Sequence, residues 1–549
     1  MGFPRYIKIT VVNRGTKNSR KQSLCGVGKQ NWLSVVTTQG VSLRYKKNIK
    51  ISAQLLYHVR ERCHMVPIVL STITARYSHS AFGLRYLRAN LGKWKEHSLI
   101  KEFHLKQTPL FIAESILQES PQIVGLGVYI WNVNEITEVV QIIKRVSPET
   151  IVIIGGPEVS YEYESMPIFK EADYLICGEG EHIFSKLIDE MMEGEFPQQK
   201  VWKKEVDKLN LLVMPYDDYS QEDIAHRIIY AESSRGCPFH CEFCLSAINP
   251  GVRFFDRKQF LKEMEKLIHR GARNFTFVDR TFNIHEEHAL DIICFFQRHA
   301  KEDMRIHFEI VPDKLGERIL EEFKNFPDGV LHLEVGLQTV NPETQKLISR
   351  RQDLTRTFEV LCFLKEQTAA KIHADLVAGM PAETWESFRE GFNYLIDCAP
   401  QEIQLGILKR LRGARISRHI QEYQMAFAPF PPYEILQTST MTFEELQKLK
   451  RMARYLELYY NQGNFPQSLA LLWKTGTTPF DAFSEFSDYI WGKTGKTHEL
   501  SLSSLANLLF SYLLDKNKFS PEEVEKVIKL DYNQKPGRTE KINFSKKIS

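Results

Sequence analysis

Residues 228–244 read Ile228-Ile229-Tyr230-Ala231-Glu232-Ser233-Ser234-Arg235-Gly236-Cys237-Pro238-Phe239-His240-Cys241-Glu242-Phe243-Cys244. The first five residues are mostly apolar and predict a buried strand, and the remainder is a glycine-containing loop. Three cysteines follow one another in the loop with the spacing C-x3-C-x2-C. Loops that follow the parallel strands of a barrel carry its chemistry, and thiolates bind soft metals. Three thiols within eight residues therefore predict one compact metal centre.

The number of cysteines favours an iron–sulfur cluster. A cluster of four irons needs four ligands, and proteins usually supply four cysteines. Three cysteines leave one iron open to the amino and carboxylate groups of a small molecule. Two alternatives remain, namely a structural zinc site with His240 as fourth ligand, and buried cysteines without a metal. Zinc sites usually combine two separate ligand pairs, and we expect Cys294, Cys362 and Cys398 to be isolated core residues of helices.

The chain has 549 residues, enough for several domains. Before the cysteine loop, apolar runs alternate with helical stretches, which predicts a doubly wound α/β domain of the flavodoxin or Rossmann type over residues 65–200. Its strands are expected near residues 66–72, 97–104, 123–131, 150–155 and 173–177. Its helices are expected near residues 80–91, 109–118, 134–146 and 183–193.

The alternation resumes around the cysteine loop. Six further strand and helix repeats predict a partial TIM-like (βα)6 barrel over residues 222–420. The prolines of Pro429-Phe430-Pro431-Pro432 end this region. Residues 430–530 have helical periodicity and predict a helical C-terminal domain, and residues 531–549 predict a polar tail. The barrel strands are expected at residues 228–232, 274–278, 306–311, 330–337, 372–378 and 402–407.

Residues 1–64 differ in composition from the rest. They contain 13 Lys and Arg against the single acid Glu61, and they show no sustained helical or strand period. We interpret them as a basic extension outside the fold, with an over-long reading frame, a basic tail and a transit peptide as the alternatives. The formal net charge of the whole chain is +4, so the remainder is acidic and does not support nucleic-acid binding. No apolar run is long enough for a membrane span, and the cysteine pattern is not that of a disulfide framework, so we expect a cytoplasmic protein.

Glycines mark the carboxyl ends of neighbouring strands in the first domain. They occur in Gly125-Leu126-Gly127, in Gly155-Gly156-Pro157-Glu158 and in Gly178-Glu179-Gly180-Glu181. Open α/β sheets bind ligands at this edge, and glycine lets a ligand approach the backbone. The candidate cofactor contacts of this domain are Thr72, Gly127, Gly155, Gly156, Gly178 and Glu179.

The cysteine loop resembles the signature of the radical SAM superfamily, C-x3-C-x-aromatic-C, with Phe243 at the aromatic position. The resemblance covers about residues 225–415. It implies a [4Fe-4S] cluster held by Cys237, Cys241 and Cys244, with S-adenosylmethionine (SAM) at the open iron and cleavage of SAM to a 5′-deoxyadenosyl radical. It also implies SAM contacts from polar or small residues at strand ends, for which the candidates are Asp279, Glu334, Gln338, Asp375 and Gly379.

Two arginines after the fourth barrel strand leave two interpretations open. Arg350 and Arg351 could bind the SAM carboxylate, or they could belong to a solvated helix end.

An α/β domain with these glycine turns directly before a radical SAM core resembles the cobalamin (B12)-binding radical SAM proteins. The helical C-terminal region resembles that of a bacterial subgroup whose C-terminal domain has no defined role. The D-x-H-x-x-G motif, whose histidine binds cobalt from below, is missing. His79 lies in the corresponding first loop without the aspartate, and we expect it to have a capping or loop role.

The resemblance implies an enzyme. The leading hypothesis is cobalamin-dependent methylation of an unactivated carbon in an unknown small molecule, with a flavodoxin- or ferredoxin-type reductant as partner. One alternative is cobalamin-assisted rearrangement or redox chemistry without methyl transfer. The other is a non-catalytic protein that responds to cobalamin or iron.

Overall fold

A computed structural model describes residues 32–36, 42–46, 67–206, 208–248, 251–534, 542 and 544. The basic extension contains two strands, β1 (Trp32–Val36) and β2 (Ser42–Lys46), which pair with each other antiparallel. These two strands were not predicted. A five-residue strand is too short to produce a sustained period, although its β-branched and aromatic residues favour it. This hairpin joins neither of the large sheets described below.

The first domain is a sheet of six parallel strands with helices between them. The strands are β3 (Ile68–Thr74), β4 (Ser98–His104), β5 (Ile123–Gly127), β6 (Ile151–Gly155), β7 (Tyr174–Cys177) and β8 (Val201–Lys203). The helices are α1 (Phe82–Ala89), α2 (Pro109–Leu117), α3 (Val133–Val146), α4 (Pro167–Glu171) and α5 (Glu181–Met192). The spatial order is β4-β3-β5-β6-β7-β8, so the chain reverses direction across the sheet beside β3. This is the flavodoxin-like order extended by one strand, and it confirms the predicted fold.

Two details of this domain differ from the prediction. The strand expected over 123–131 ends at Gly127, because the chain then turns and the Tyr129 amide donates to Asn132 Oδ1 at 2.8 Å. The edge strand β8 was not predicted, since three half-exposed residues carry no recognisable period.

The second sheet is the predicted open barrel. Its strands are β9 (Ile229–Ala231), β12 (Asn274–Phe277), β13 (Arg305–Ile310), β14 (Leu331–Gln338), β15 (Lys371–Ala378) and β16 (Glu402–Ile407). All neighbours are parallel and follow one another in chain order. The helices in this part of the chain are α6 (Gln221–His226), α7 (Arg257–His269), α8 (Glu286–His299), α9 (Glu317–Phe323), α10 (Pro342–Leu347), α11 (Leu354–Gln367) and α12 (Trp385–Cys398).

Two short hairpins accompany the barrel. One is formed by β10 (Ser234–Cys237) and β11 (Gly251–Phe254), and the other by β17 (Ala426–Phe427) and β18 (Ile435–Gln437).

The C-terminal region is helical and packs on the barrel. Its helices are α13 (Phe443–Leu456), continued by a π-helical turn (Glu457–Asn461), α14 (Pro466–Leu472), α15 (Pro479–Thr494), α16 (Leu502–Asp515) and α17 (Pro521–Asn533). The Phe480 ring lies 5.1 Å from that of Trp385 on α12, and one continuous apolar core joins the barrel to these helices. Within the described ranges, no helix combines the length and apolar character that a bilayer crossing requires.

Buried ion pairs join the first domain to the segment that leads into the barrel. Arg85 on α1 donates to both carboxylate oxygens of Glu102 at 2.8 and 2.9 Å, and to Asp223 on α6 at 3.1 Å. Arg227 donates to the same Glu102 at 2.7 Å. Buried charges are tolerated when they are paired and hydrogen-bonded, so these four residues fix the two domains in one arrangement.

Candidate active site

The cysteine loop begins directly after the first barrel strand, as predicted. β10 carries Cys237 at its end and pairs with β11, so that Cys237 lies opposite Gly251. Gly236 has φ +98°, and a Cβ atom there would lie 2.0 Å from the Gly251 carbonyl oxygen. The close approach of these strands therefore requires glycine beside the first cysteine.

All three cysteines lie in this one loop. Cys237 and Cys241 are buried, Cys244 is partly buried and its amide donates to the Cys241 carbonyl at 3.0 Å, and Phe243 packs against the barrel core. Burial raises the pKa of Cys237 to about 11 and also raises that of Cys241. Metal binding needs thiolates, and a bound metal supplies the positive charge that deprotonates such thiols. The donor set therefore fits a soft metal centre.

The zinc alternative depends on His240 as fourth ligand, and this residue is exposed. Among the residues that the structure describes, no three His, Cys, Asp or Glu side chains are already gathered around one point.

Asp279 supports the entrance of the cysteine loop. Its carboxylate accepts three hydrogen bonds, from the Ser233 amide at 3.0 Å and from the Ser233 and Ser234 hydroxyls at 2.6 Å each. The residue is 1% exposed. In this arrangement Asp279 holds the start of the loop. Its contact with SAM stays a prediction.

Glu242 anchors the middle of the loop, and the sequence analysis did not identify it. Its carboxylate accepts from Ser349 Oγ at 2.9 Å, lies 2.9 Å from His419 Nε2 and pairs with Arg418. The Ile416 amide donates to its carbonyl at 2.9 Å. The signal in the sequence was an acidic residue inside the C-x3-C-x2-C spacing, and the structure buries it. Its partners lie more than 100 residues away in the chain, so the sequence did not reveal them.

Arg350 lies beside the cysteine loop. Its Nη1 atom lies 3.8 Å from Cys241 Sγ, its Nε donates to Gln352 at 3.0 Å, and its Nη2 donates to the Gly336 carbonyl. Arg351 is exposed. Arg350 thus places a positive charge beside one cysteine, and Arg351 belongs to the surface.

Polar side chains line the half-exposed face of the barrel strands. Glu334 Oε2 lies 3.2 Å from His307 Nε2, and Asp375 Oδ1 lies 3.1 Å from His373 Nε2. Gln338 ends β14 with φ +68°. The structure brings Glu334, Asp375 and Gln338 together on the adjacent strands β14 and β15, beside the loop that carries Arg350.

Gly379, a predicted SAM contact, lies in the turn after β15. Gly379 has φ +85°, and a Cβ atom would lie 2.5 Å from Ile435 Cγ2 of β18. Glycine is therefore needed here for the turn after β15 and for packing against the β17–β18 hairpin.

Thr72 and Gly127 face each other inside the first sheet. Thr72 Oγ1 donates to the Gly127 carbonyl at 2.6 Å and accepts from Asn132 Nδ2 at 3.1 Å. Thr72 is buried, and its hydroxyl bridges two neighbouring groups of the sheet edge. Its contact with a cofactor stays a prediction.

The glycines at the carboxyl edge of the first sheet differ in the space that surrounds them. A Cβ atom on Gly156 would lie 2.4 Å from the Val128 carbonyl oxygen, and one on Gly155 would lie 3.2 Å from that of Ile176. A side chain at Gly156 would therefore clash with the backbone, and Gly155 is tightly packed. Their contact with a cofactor stays a prediction. Gly178 has φ +78° and open space around a Cβ atom. Gly178 therefore leaves space for a ligand at this edge of the sheet.

Glu179, a predicted cofactor contact, joins two parts of the chain. It accepts from Arg253 at 3.1 Å, from the Val206 amide at 2.6 Å, and lies 3.5 Å from Arg235. Arg235 directly precedes Gly236 of the cysteine loop and also pairs with Glu181 at 2.7 Å. The Gly-Glu-Gly-Glu turn thus connects the first domain to the cysteine loop.

His79 has the expected loop role, since its Nδ1 lies 2.6 Å from the Tyr230 hydroxyl on β9. Burial lowers its pKa.

Three family models match consecutive parts of the chain. The B12 binding domain matches residues 68–188, the Radical SAM superfamily residues 231–395, and a protein family of unknown function, DUF4080, residues 421–547.

Two curated relatives are methyltransferases. An uncharacterized methyltransferase, PH0819, of Pyrococcus horikoshii is 23% identical over 421 residues, which cover 69% of this chain and 87% of that protein. The cobalamin-dependent radical SAM methyltransferase TokK of Streptomyces tokunonensis is 24% identical over 349 residues, 55% of this chain and 50% of its own length. The chain thus spans about half the length of the second relative.

Solved structures share the fold. The cobalamin-dependent S-adenosylmethionine radical enzyme OxsB has a TM-score of 0.57 at 13% identity, covering 87% of this chain and 82% of that one. The radical S-adenosylmethionine methyltransferase TsrM of Kitasatospora setae has a TM-score of 0.55 at 18% identity, covering 67% and 82%. In chain order, the matched family models thus give a B12 binding domain, a Radical SAM domain and a C-terminal DUF4080 domain.

Proposed function

We propose that this protein is a cobalamin-dependent radical SAM methyltransferase that acts on an unactivated carbon of a small molecule. The observation that carries the proposal is the loop of Cys237, Cys241 and Cys244, which is tied through Arg235 and the Gly-Glu-Gly-Glu turn to the carboxyl edge of the B12-binding domain. The cysteine loop and the carboxyl edge of the B12-binding domain therefore lie next to each other.

The three cysteines would hold a [4Fe-4S] cluster, and the B12-binding domain would hold cobalamin. Together these groups supply the electron that cleaves SAM to the 5′-deoxyadenosyl radical and the methyl group that is transferred. Arg350 provides positive charge beside Cys241, which favours an electron-rich centre. Glu242 and Asp279 keep the loop in place from opposite sides, so that the cysteines are organised before the cluster is assembled.

Two features support cobalamin binding at the carboxyl edge of the first sheet. Gly178 offers open space at the end of β7, and Trp131, which is 43% exposed, stacks on Tyr129 at the end of β5. Because His79 already contacts Tyr230, we propose that cobalt receives no histidine from this loop. We further propose that a flavodoxin- or ferredoxin-type protein supplies the electrons.

The products of SAM turnover test the proposal. Anaerobically reconstituted protein with dithionite, hydroxocobalamin and SAM should yield S-adenosylhomocysteine, as reduced cobalamin accepts the methyl group, together with 5′-deoxyadenosine. Formation of 5′-deoxyadenosine alone would indicate radical chemistry without methyl transfer, and the absence of both would indicate a binding protein. The Cys244→Ala variant is the control, because it should retain the fold and form neither product.

A further inference from the structure

Two cysteines outside the active site lie close together on the outer surface of the barrel. Cys362 on α11 and Cys398 at the end of α12 are 36 residues apart in sequence, but their Sγ atoms are 3.9 Å apart. Cys362 is exposed and Cys398 is 8% exposed. The expectation of two isolated core cysteines was therefore wrong, because the packing of two successive helices brings them together.

The register of the two helices builds this contact. The rings of Phe358 and Tyr394 stack with centroids 4.8 Å apart. Cys362 follows Phe358 by four residues, and Cys398 follows Tyr394 by four residues. Residues four apart lie on the same face of a helix, one turn along. The stacked rings thus fix the helices side by side, and the thiols meet one turn further along the same seam.

We propose that Cys362 and Cys398 form a peroxide-reactive dithiol site that closes to a disulfide. The Cys362 thiol loses its proton to solvent and attacks hydrogen peroxide, which gives a sulfenic acid on Cys362 and, after protonation of the leaving hydroxide, water. The Cys398 sulfur then attacks the sulfenic sulfur. The S–S bond forms, and the expelled hydroxide takes up the Cys398 proton as a second water. Two thiols and one peroxide give one disulfide and two waters.

The order of the two steps follows from the surroundings of the thiols. Burial and the neighbouring Cys362 raise the pKa of Cys398 to about 12. Peroxide reacts with thiolates, and selectivity follows exposure. The exposed Cys362 is therefore the attacking residue, and the buried Cys398 is the resolving one.

The disulfide would join two neighbouring βα units. Helix α11 connects β14 to β15, and α12 connects β15 to β16. Strands β14 and β15 carry Glu334 and Asp375. The disulfide would therefore restrain the two helices, α11 and α12, that pack outside these strands. It would also close a loop in the unfolded chain, which raises the thermal midpoint.

Peptide mapping tests the site in the full-length holoprotein. After brief treatment with hydrogen peroxide and alkylation, mass spectrometry should find a cross-linked peptide pair that contains Cys362 and Cys398. Disulfides within the cysteine triplet fall in other peptides and are scored separately. Cys294, partly exposed on α8, is the matched single cysteine and should form no comparable cross-link.

Two variants test the order of attack. In Cys398→Ala, Cys362 should stop at the sulfenic acid and be trapped by dimedone, whereas the wild type should show little adduct. In Cys362→Ser, Cys398 should remain unmodified. The proposal is overturned if no 362–398 cross-link forms in the wild type, or if dimedone labels Cys362 equally with and without Cys398. Neither readout depends on SAM cleavage, so the result is independent of the proposed function.

Discussion

Arg412 Nε lies 3.0 Å from Glu158 Oε1, across the boundary between the barrel and the B12-binding domain. Arg412 follows the last barrel strand, and Glu158 is the acid of the Gly-Gly-Pro-Glu turn, only 3% exposed. Burial raises the pKa of this carboxyl even though Arg412 lowers it. A second pair, Arg410 and Glu162 at 2.7 Å, lies beside it and is more exposed. The turn therefore fastens the two domains together.

The two arginines should differ in their contribution to stability. Arg412→Ala leaves the Glu158 carboxyl buried without its partner, which costs about 3 kcal/mol. Arg410→Ala removes an exposed pair and should cost about 0.5 kcal/mol. Urea unfolding together with limited proteolysis between the domains measures the difference. Equal losses in the two variants would contradict the assigned role of Glu158.

Arg350 should tune the iron–sulfur centre. We expect Arg350→Met to assemble the cluster but to shift its reduction potential to more negative values by tens of millivolts, on the order of the 59 mV that correspond to a tenfold change for one electron. The loss of the positive charge near Cys241 is the cause. Spectroelectrochemical titration measures the shift. Arg351→Met is the matched control, and an equal shift there would exclude a local effect.

The cysteine triplet should be necessary as a set. Replacing Cys237, Cys241 or Cys244 individually by Ala should abolish the iron–sulfur absorption and SAM cleavage, because each thiolate binds a different iron. Iron and sulfide analysis with optical spectroscopy provides the measurement. Stoichiometric zinc in the wild type without iron–sulfur absorption would refute this prediction.

Gly156 and Gly178, both at the carboxyl edge of the B12-binding domain, should respond differently to substitution. Gly156→Ala should destabilise the protein with or without cobalamin, because the new methyl group meets the Val128 carbonyl. Gly178→Asn should fold, since asparagine tolerates positive φ, and should weaken hydroxocobalamin binding. Circular dichroism monitors folding and optical titration monitors binding. Unchanged binding by Gly178→Asn would place the cofactor elsewhere.

Glu383 should make stability depend on pH. Burial raises its pKa from 4.5 to about 7, although Thr339 and Ser387 donate to the carboxylate. The protonated Glu383 carboxyl therefore contributes its full stabilisation of the folded state below about pH 4.5. This stabilisation, roughly 3 kcal/mol, is lost as the pH rises through 7.

The Glu383→Gln variant isolates this contribution. It should lack the pH-dependent loss, so its stability relative to the wild type should increase between pH 5 and pH 8. Urea midpoints at several pH values measure this difference. Glu444→Gln, at an exposed position on α13, is the control and should retain the wild-type slope.

The sequence alone determined the architecture and the metal-binding loop. Apolar runs alternating with helical stretches over residues 66–412 predicted both parallel sheets, because a buried strand is apolar along its length and each helix buries its own stripe. The triplet of Cys237, Cys241 and Cys244 was equally clear, since its ligands lie within eight residues. What is local in the chain was therefore predictable.

Only the tertiary structure decided which partners meet over long distances. Gly156 and Gly379 are predicted ligand contacts, and the structure adds that a side chain would clash with the Val128 backbone at the first and with Ile435 at the second. Glu242 acquires its role from His419, and Cys362 from Cys398, in each case through packing between elements that are far apart in sequence. The physical reason is that side-chain periodicity specifies which face of an element is buried, whereas the partner on that face is chosen when the elements pack.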